Sequence, residues 1–148
     1  MNILCTNKKA TFKYFLLKKF EAGLSLYGWE VKSIKLGHAQ ISESYITIND
    51  NEAYLVNSHL KVLSNISEGD KLNSKRSRKL LLNRRELINL SNEVKQNGYS
   101  IVPTKMYAKN SLIKLEIALA KGKKSHDKRA DIKDKEWARN KDRILKRK

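Results

Sequence analysis

The residue types best suited to chemistry form a basic run late in the chain, Lys121-Gly-Lys-Lys124. Closely spaced lysines neutralise phosphates, and the glycine among them allows a close backbone approach. The apolar pattern before the run predicts a strand that would fix its position, which favours phosphate binding over a merely solvated charge cluster. His126 follows with no apolar neighbour, so its imidazole is expected to be exposed and able to stack on an unpaired base or contact phosphate.

Residue patterns that support catalysis are scarce. The sequence contains no glycine-rich phosphate loop, no His-Glu-x-x-His, no nucleophile elbow and no paired-cysteine spacing, and Cys5 is its single cysteine. His38, His59 and His126 lie in separate segments, so a metal-free ribonuclease would require the fold to bring two of them together. We therefore predict that the chain is not an enzyme and has no catalytic residues, metal or cofactor.

The charge of the chain indicates a polyanionic partner. It has 32 Lys+Arg against 15 Asp+Glu, a formal net charge of +17. Residues 121–148 alone contain 13 Lys+Arg and 5 Asp+Glu. No run approaches the about 18 apolar residues of a membrane span, and Met1–Thr6 lacks a secretory apolar region. The expected location is the cytoplasm, without membrane contact.

Several elements would position the basic run. Residues 1–11 are polar and basic, and no apolar pattern begins before Phe12. From Phe12 to Leu26 apolar residues alternate with polar ones, which predicts strands. A short helix is predicted over Trp29–Leu36, with Gly37 ending it. The triplet 49–51 predicts a hairpin turn, followed by β-rich residues 53–62 and a long loop, Ser64–Ser77, as a candidate contact surface.

The second half of the body contains the clearest helix. Asn83 and Glu86 fit a capping box, and Asn97-Gly98 ends the helix. Tyr99–Ala108 and Leu112–Ala120 then predict a hairpin with one buried face. Together these patterns predict a mainly β fold with helices, a small OB-like closed β-barrel with inserted helices over residues 1–120.

Residues 121–148 are predicted to form a basic C-terminal tail, separate from the barrel. Ala130, Trp137 and Ile144 have helical spacing, but one apolar residue per two turns buries too little surface to order the segment. The tail is therefore expected to be disordered, or helical only on binding. Trp137 has no core of its own to enter, which favours a docking or stacking role.

Several motifs follow one another along the chain: Phe20-Glu-Ala-Gly-Leu24, Gly28-Trp-Glu-Val-Lys-Ser33, Ser42-Glu-Ser-Tyr45, Arg78-Lys-Leu-Leu-Leu-Asn83, Ala120-Lys-Gly-Lys-Lys124, His126-Asp-Lys-Arg129, Lys135-Glu-Trp137 and Arg143-Ile-Leu145. In this order they resemble the SmpB family of SsrA-binding proteins. The resemblance covers nearly the whole chain. The family's Asp-Pro is replaced by Asn73-Ser74 ahead of Arg76 and Arg78, whose charges we expect the loop to retain.

The resemblance implies an RNA-binding factor of trans-translation. It would bind the tRNA-like domain of transfer-messenger RNA (SsrA) and deliver it to ribosomes stalled on broken messages. It implies transfer-messenger RNA contacts at Glu21, Leu81, Asn83 and Lys114. The implied partners are this RNA, the small-subunit decoding centre of the ribosome, and elongation factor Tu reached through the RNA.

The resemblance also gives the tail a role in probing the decoding centre and the empty message channel. The residues implied or expected to contact the ribosome are Lys121, Gly122, Lys123, Lys124, His126, Asp127, Lys128, Arg129, Trp137, Ile144 and Leu145. Two alternatives remain from the residues themselves, a structural or coating nucleic-acid-binding protein and a metal-free ribonuclease. Binding to unstructured single strands would favour the first, and cleavage products would favour the second.

Overall fold

The computed structural model describes residues 2–62 and 73–146, and for residues 125, 127, 131 and 140–146 it describes the backbone alone. The elements, in chain order, are β1 (Asn2–Thr6), α1 (Ala10–Lys13), β2 (Tyr14–Leu24), α2 (Gly28–Lys35), β3 (Ala39–Gln40), β4 (Tyr45–Asn49), β5 (Glu52–Val56), β6 (His59–Leu60), β7 (Arg78–Leu81), α3 (Arg84–Asn97), β8 (Ser100–Lys109), β9 (Leu112–Gly122) and α4 (Ser125–Lys146). The predicted mainly β fold with inserted helices is confirmed.

Seven strands form one antiparallel sheet in the order β1-β8-β9-β2-β7-β5-β4, and β3 pairs with β6 separately. The sheet curls, because β4 packs against β8 although no described hydrogen-bonded ladder joins the two strands. The inward faces of the long strands and one side of α2 and α3 enclose a single main core. Its fully buried members include Ile34, Leu55, Leu90, Leu115 and Ile117.

Two hairpins have the same two-residue turn. Asp50 and Asn51 have φ of 49° and 62° between β4 and β5, and Asn110 and Ser111 have φ of 51° and 66° between β8 and β9. Positive φ at both central residues matches the right-handed twist of antiparallel strands, which is why short polar residues stand there. Both turns predicted from the sequence are confirmed.

The capped helices also follow the prediction closely. The side chain of Asn83 accepts a hydrogen bond from the Glu86 amide at 2.8 Å, and Gly98 ends α3 with φ of 66°. Helix α2 begins one residue earlier than expected, at Gly28, and Gly37 follows it with φ of 82°. Local capping chemistry therefore determines the ends of both helices.

Three local predictions were wrong. Residues 2–6, taken as patternless, form β1, which pairs with the Lys105-to-Ala108 part of β8 as an edge strand. Phe12 lies in α1, not in a strand, because burial of Ala10 against Val102 and Ala120 holds a helical turn there. The expected continuous strand over 53–62 breaks at Asn57, whose φ of 64° divides it into β5 and β6.

The charges of Arg76 and Arg78 are not available on the loop, contrary to expectation. Both guanidinium groups contact the fully buried carboxylate of Glu30, at 2.5 Å and 2.6 Å, and Arg78 is itself fully buried. Arg78 also donates to Ser58 and to the Ser74 carbonyl. Burial alone would raise the pKa of Glu30, but hydrogen bonds from the arginines and from the Tyr27 amide outweigh burial and lower it.

This buried cluster anchors α2 to the start of β7. Most of the loop predicted over Ser64–Ser77 lies outside the described residues, and only its end, from Asn73, is described. At the other boundary, β9 continues two residues past the predicted limit of the barrel, through Gly122, which pairs with Tyr14. The separation of body and tail stays a prediction.

Candidate nucleic-acid interface

One face of the curled sheet contains most of the predicted transfer-messenger RNA contacts. Tyr107 of β8 pairs with Lys114 of β9, Lys114 pairs with Gly23 of β2, and Gly23 pairs with Leu81 of β7. These four residues form one row across four strands. Because side chains alternate along a strand, the row lies opposite the buried neighbours of its members, such as Leu115 and Leu80. We name this row and Glu21 the outer face.

Glu21 lies two residues from Gly23 on the same strand and therefore on the same side of the sheet. Its carboxylate accepts a hydrogen bond from the Tyr107 hydroxyl and lies 3.5 Å from Lys109 Nζ. The Tyr107 hydrogen bond and the nearby charges of Lys109 and Lys114 lower the pKa of Glu21. Burial and Glu21 together raise the pKa of Tyr107. Glu21 is thus a fixed, ionised acceptor beside two cations.

An ionised carboxylate repels phosphate but accepts hydrogen bonds from a ribose hydroxyl or a base amino group. Lys114, partly exposed on the neighbouring strand β9, supplies the complementary positive charge. The outer face therefore combines an acceptor and a phosphate-neutralising donor on neighbouring strands. That combination suits a folded RNA read by shape and sugar contacts better than uniform phosphate coating.

Leu81 and Gly23 form the apolar part of the outer face. Leu81 is 55% exposed, whereas its neighbour Leu80 is buried. A methyl group added at Gly23 would lie 3.2 Å from Leu81 Cβ, so glycine keeps the surface flat beside this leucine. The two residues line a shallow depression of about 200 Å³ that Lys114 also borders. An exposed apolar ledge next to a cation fits a ribose or base surface.

Asn83 follows β7 and caps α3. The side-chain oxygen Oδ1 of Asn83 accepts a hydrogen bond from the backbone amide of Glu86. The backbone amide of Asn83 in turn donates to the Glu86 carboxylate at 3.3 Å. The side-chain amide nitrogen is therefore the part of Asn83 suited to contact RNA. Capping thus fixes the orientation of this exposed side chain, two residues after Leu81.

The lysines of the basic run at the start of the tail have two different environments. Lys121 and Lys124 are exposed, but Lys123 is partly buried. Its ammonium group donates to the Thr11 carbonyl at 2.8 Å and lies 5.0 Å from the centre of the Phe15 ring, while its amide donates to Lys13. Lys123 thereby ties the tail to α1 and β2, and Lys121 and Lys124 present charge outward.

The remainder of the predicted ribosome-contacting set lies on α4. His126 and Arg129 are exposed, Lys128 is partly exposed, and Trp137 is 70% exposed. Asp127, Ile144 and Leu145 lie on the same helix, and their side chains are outside the described residues. The tail contacts the body at α1, where Lys135 Nζ lies 6.0 Å from the Phe12 ring centre. That the tail becomes helical only on binding stays a prediction.

Two of the three histidines, His38 and His59, line the same cleft of about 210 Å³, together with Lys61. His126 lies elsewhere, on α4. Among the described residues, no group of three His, Cys, Asp or Glu is placed to hold a metal ion. None of the helices in that same part of the chain is both long and apolar enough to cross a membrane.

Comparison with known proteins identifies the family of this chain. The family model described as SmpB protein matches residues 4–147. The chain belongs to the SmpB family. Among its relatives is the SsrA-binding protein of Psychrobacter cryohalolentis, 51% identical over 146 residues, which are 99% of this chain and 92% of the relative. The SsrA-binding protein of Ruthia magnifica is 49% identical, over 99% of this chain and 88% of its own length.

A solved SmpB-family structure agrees with the fold. A chain from the structure described as "tmRNA-SmpB: a journey to the center of the bacterial ribosome" has a TM-score of 0.68 and 35% sequence identity. The match covers 84% of this chain and 87% of that chain. The resemblance inferred from the motifs is therefore confirmed.

Several residues on or beside the outer face were not found from the sequence. Tyr107 and Lys109 lie 86 and 88 positions after Glu21 in the chain, and only the β8-β9-β2 pairing brings them to its carboxylate. Gly23 had a detectable signal, since strand alternation places it on the same side as Glu21. Its value as a flat surface depends on Leu81, which arrives from β7.

Proposed function

We propose that this chain is the RNA-binding factor that binds the tRNA-like domain of transfer-messenger RNA and delivers it to ribosomes stalled on broken messages. The observation that carries the proposal is the row Tyr107–Lys114–Gly23–Leu81, which brings residues from four strands together. In this row Leu81 is exposed, Lys114 and Gly23 are partly exposed, and Tyr107 is buried beneath its contact with Glu21. Its relatives named SsrA-binding protein support the RNA identity. The role is binding and delivery in the bacterial cytoplasm, without catalysis, metal or cofactor.

The tail has a separate role in the same proposal. Its exposed cations and Trp137 enter the decoding centre and the empty message channel of the small subunit, where an intact message would exclude them. The solved structure named for the centre of the bacterial ribosome supports this placement. Elongation factor Tu is a further partner in this proposal, reached through the RNA.

The decisive experiment compares RNA partners at several salt concentrations. Full-length protein is titrated with transfer-messenger RNA and with an unstructured RNA of equal length. We expect preference for the structured RNA, and Lys114→Ala should weaken that binding and reduce the slope of log affinity against log salt by about 0.7 to 0.9. Lys35→Ala, an exposed lysine of α2, is the matched control and should change neither.

Each alternative function predicts a different result. Equal affinity for both RNAs would identify a coating protein and contradict the proposal. Shortened RNA after incubation without metal would identify a ribonuclease, and His38 and His59, which share a cleft, would be the residues to replace. If the slope of log affinity against log salt is unchanged in Lys114→Ala, Lys114 makes no phosphate contact and that assignment to the outer face is wrong.

A further inference from the structure

Three side chains of β5 and β7 form a hydrogen-bonded group on the sheet. The two strands are neighbours, and Tyr54 of β5 pairs with Lys79 of β7. The Tyr54 hydroxyl donates a hydrogen bond to one carboxylate oxygen of Glu52, and Lys79 Nζ donates to the other oxygen at 3.0 Å. We name Glu52, Tyr54 and Lys79 the β5 triad.

The β5 triad repeats the arrangement around Glu21. In both places a tyrosine hydroxyl and a lysine ammonium group contact one glutamate, and the partners of Glu21 are Tyr107 and Lys109. The hydrogen bond from the tyrosine is the main cause that lowers the pKa of each glutamate. The side chains of Glu21 and Glu52 are 41% and 43% exposed. Both carboxylates are therefore ionised, oriented by a tyrosine and open to solvent.

The β5 triad lies on the same side of the sheet as the outer face. Ala53 pairs with Leu80, and both residues are buried. Because the two strands are antiparallel and side chains alternate along each, Glu52 lies beside Leu81, and both point away from the core. Leu81 in turn pairs with Gly23 of the outer face. The exposed side chain of Leu81 therefore stands between two carboxylates that have the same kind of partners.

The two carboxylates are too far apart to share one donor. Glu21 lies on β2 and Glu52 on β5, and β7 runs between these strands. Two interstrand spacings separate them by about 10 Å. A ligand that contacts both glutamates must therefore supply a separate donor to each, as a folded RNA does along its backbone.

The groups of the β5 triad match those of an RNA backbone. A carboxylate has about four acceptor positions, so Glu52 can accept further hydrogen bonds beside those from Tyr54 and Lys79. The ribose 2′-hydroxyl is a donor present at every nucleotide. The Lys79 side chain is 45% exposed, and its ammonium group can neutralise a phosphate. A carboxylate that accepted nothing from the RNA would only repel a polyanion.

We propose that the β5 triad is a ribose-binding site on the far side of Leu81. Glu52 accepts a hydrogen bond from a 2′-hydroxyl group, and Lys79 contacts a neighbouring phosphate. Tyr54 is a positioning residue that holds the carboxylate. The inference rests on the proposed function, since it extends the structured RNA bound at the outer face across Leu81, and it adds three residues that the family resemblance does not imply.

The first test is the sign of the effect of Glu52→Ala on binding of transfer-messenger RNA to the full chain. Loss of a hydrogen bond to a charged acceptor should weaken binding about tenfold. If the β5 triad were only a surface ion pair, removing a negative charge would leave binding to a polyanion unchanged or strengthen it, and either result would overturn the proposal.

Two further variants control this test. Glu93→Ala removes a carboxylate of α3 that accepts from Asn97, and it should not weaken RNA binding. Glu52→Gln keeps the shape of the side chain and a neutral acceptor, so it should weaken binding less than Glu52→Ala. Urea unfolding should be nearly unchanged in both Glu52 variants, because the ion pair with Lys79 is exposed.

The second test identifies the donor in the RNA. A 2′-fluoro group replaces the 2′-hydroxyl without a proton to donate, and two transfer-messenger RNA preparations, one substituted at pyrimidines and one at purines, cover every ribose. One of them should bind the unaltered protein more weakly than natural RNA, and this ratio of affinities should shrink about tenfold in Glu52→Ala. Ratios equal in the two proteins for both preparations would contradict the ribose assignment and indicate a base amino group.

The roles of Lys79 and Tyr54 predict different salt dependences. Lys79→Met should reduce the slope of log affinity against log salt by about 0.7 to 0.9. Tyr54→Phe should weaken binding without changing the slope, and it should have no further effect once Glu52 is alanine, because it acts through that carboxylate. An unchanged slope in Lys79→Met, or additive losses at positions 54 and 52, would contradict these roles.

Failure of this inference is distinguishable from failure of the proposed function. If Lys114→Ala weakens binding of transfer-messenger RNA and Glu52→Ala does not, the β5 triad alone is refuted. If the unaltered protein shows no preference for transfer-messenger RNA over unstructured RNA, the proposed function is refuted, whatever the Glu52 variants do.

Discussion

The outer face and the tail are both suited to RNA, but they are built in opposite ways. On the outer face, Glu21 is held by Tyr107 and Lys109, and Gly23 is matched to Leu81. On α4, every side chain described from Ile132 to Arg139 is exposed. Under the proposed function, the preformed outer face would recognise a folded RNA, and the exposed tail would acquire its contacts in the vacant channel.

The largest expected effect comes from separating the two regions. A chain ending after Lys124 retains β9 and the Lys123 contacts with Thr11 and Lys13. It should bind transfer-messenger RNA with unchanged affinity and unfold cooperatively, while peptide tagging on stalled ribosomes is abolished. Urea unfolding, RNA titration and a tagging assay measure these outcomes. Tagging at the full rate would show that the tail is dispensable.

The next effect concerns stability of the body alone. Glu30→Gln leaves Arg78 buried without its carboxylate partner and should reduce the free energy of unfolding by about 3 to 5 kcal/mol. Glu52→Gln is the matched control, since its ion pair with Lys79 is exposed and should contribute about 0 to 1 kcal/mol. Urea unfolding gives both values. Similar losses in the two variants would show that the buried cluster is no stronger than a surface pair.

The ionisation of Glu30 predicts that the stability of the fold depends on pH. Because the pKa of Glu30 is lower in the folded protein, its contribution is present above the ordinary glutamate pKa and is lost as pH falls through the folded value. The acid side of the stability profile should therefore be flatter in Glu30→Gln than in the unaltered chain.

A smaller effect is expected at Trp137, which is 70% exposed. If this side chain is buried on the ribosome, Trp137→Asp should remove about 1.5 to 3 kcal/mol of binding and slow tagging, with transfer-messenger RNA binding unchanged. Trp137→Phe should retain much of the rate. A wild-type tagging rate in Trp137→Asp would leave the tail as an electrostatic tether.

The smallest effect separates the two uses of Asn83. Asn83→Ser keeps a capping oxygen for α3 but removes the amide donor, so stability should be nearly unchanged while RNA affinity falls. Asn83→Ala should also cost about 0.5 to 2 kcal/mol of stability. Unchanged RNA affinity in both variants would restrict Asn83 to capping.

Features decided by neighbouring residues were predictable. The Asn83–Glu86 capping box, Gly37 and Gly98 at helix ends, and the two hairpin turns depend on contacts within a few positions, and the structure has all of them. The motifs that indicated the SmpB family are likewise local runs. Short elements held by distant partners were missed, as β1 and α1 show, because pairing with β8 and burial of Ala10 leave no periodic signal.

The sequence by itself determined the basic charge, the mainly β pattern and the exposed character of the tail, since these follow from composition and spacing. Only the tertiary structure decided which charges face outward. In the fold, Arg76 and Arg78 pair with the buried Glu30. Lys123 holds the start of the tail against Thr11. Tyr107 donates to Glu21, which lies 86 positions earlier in the chain. The physical reason is that a buried or paired charge depends on partners supplied by strand order, and strand pairing joins residues that no local pattern connects.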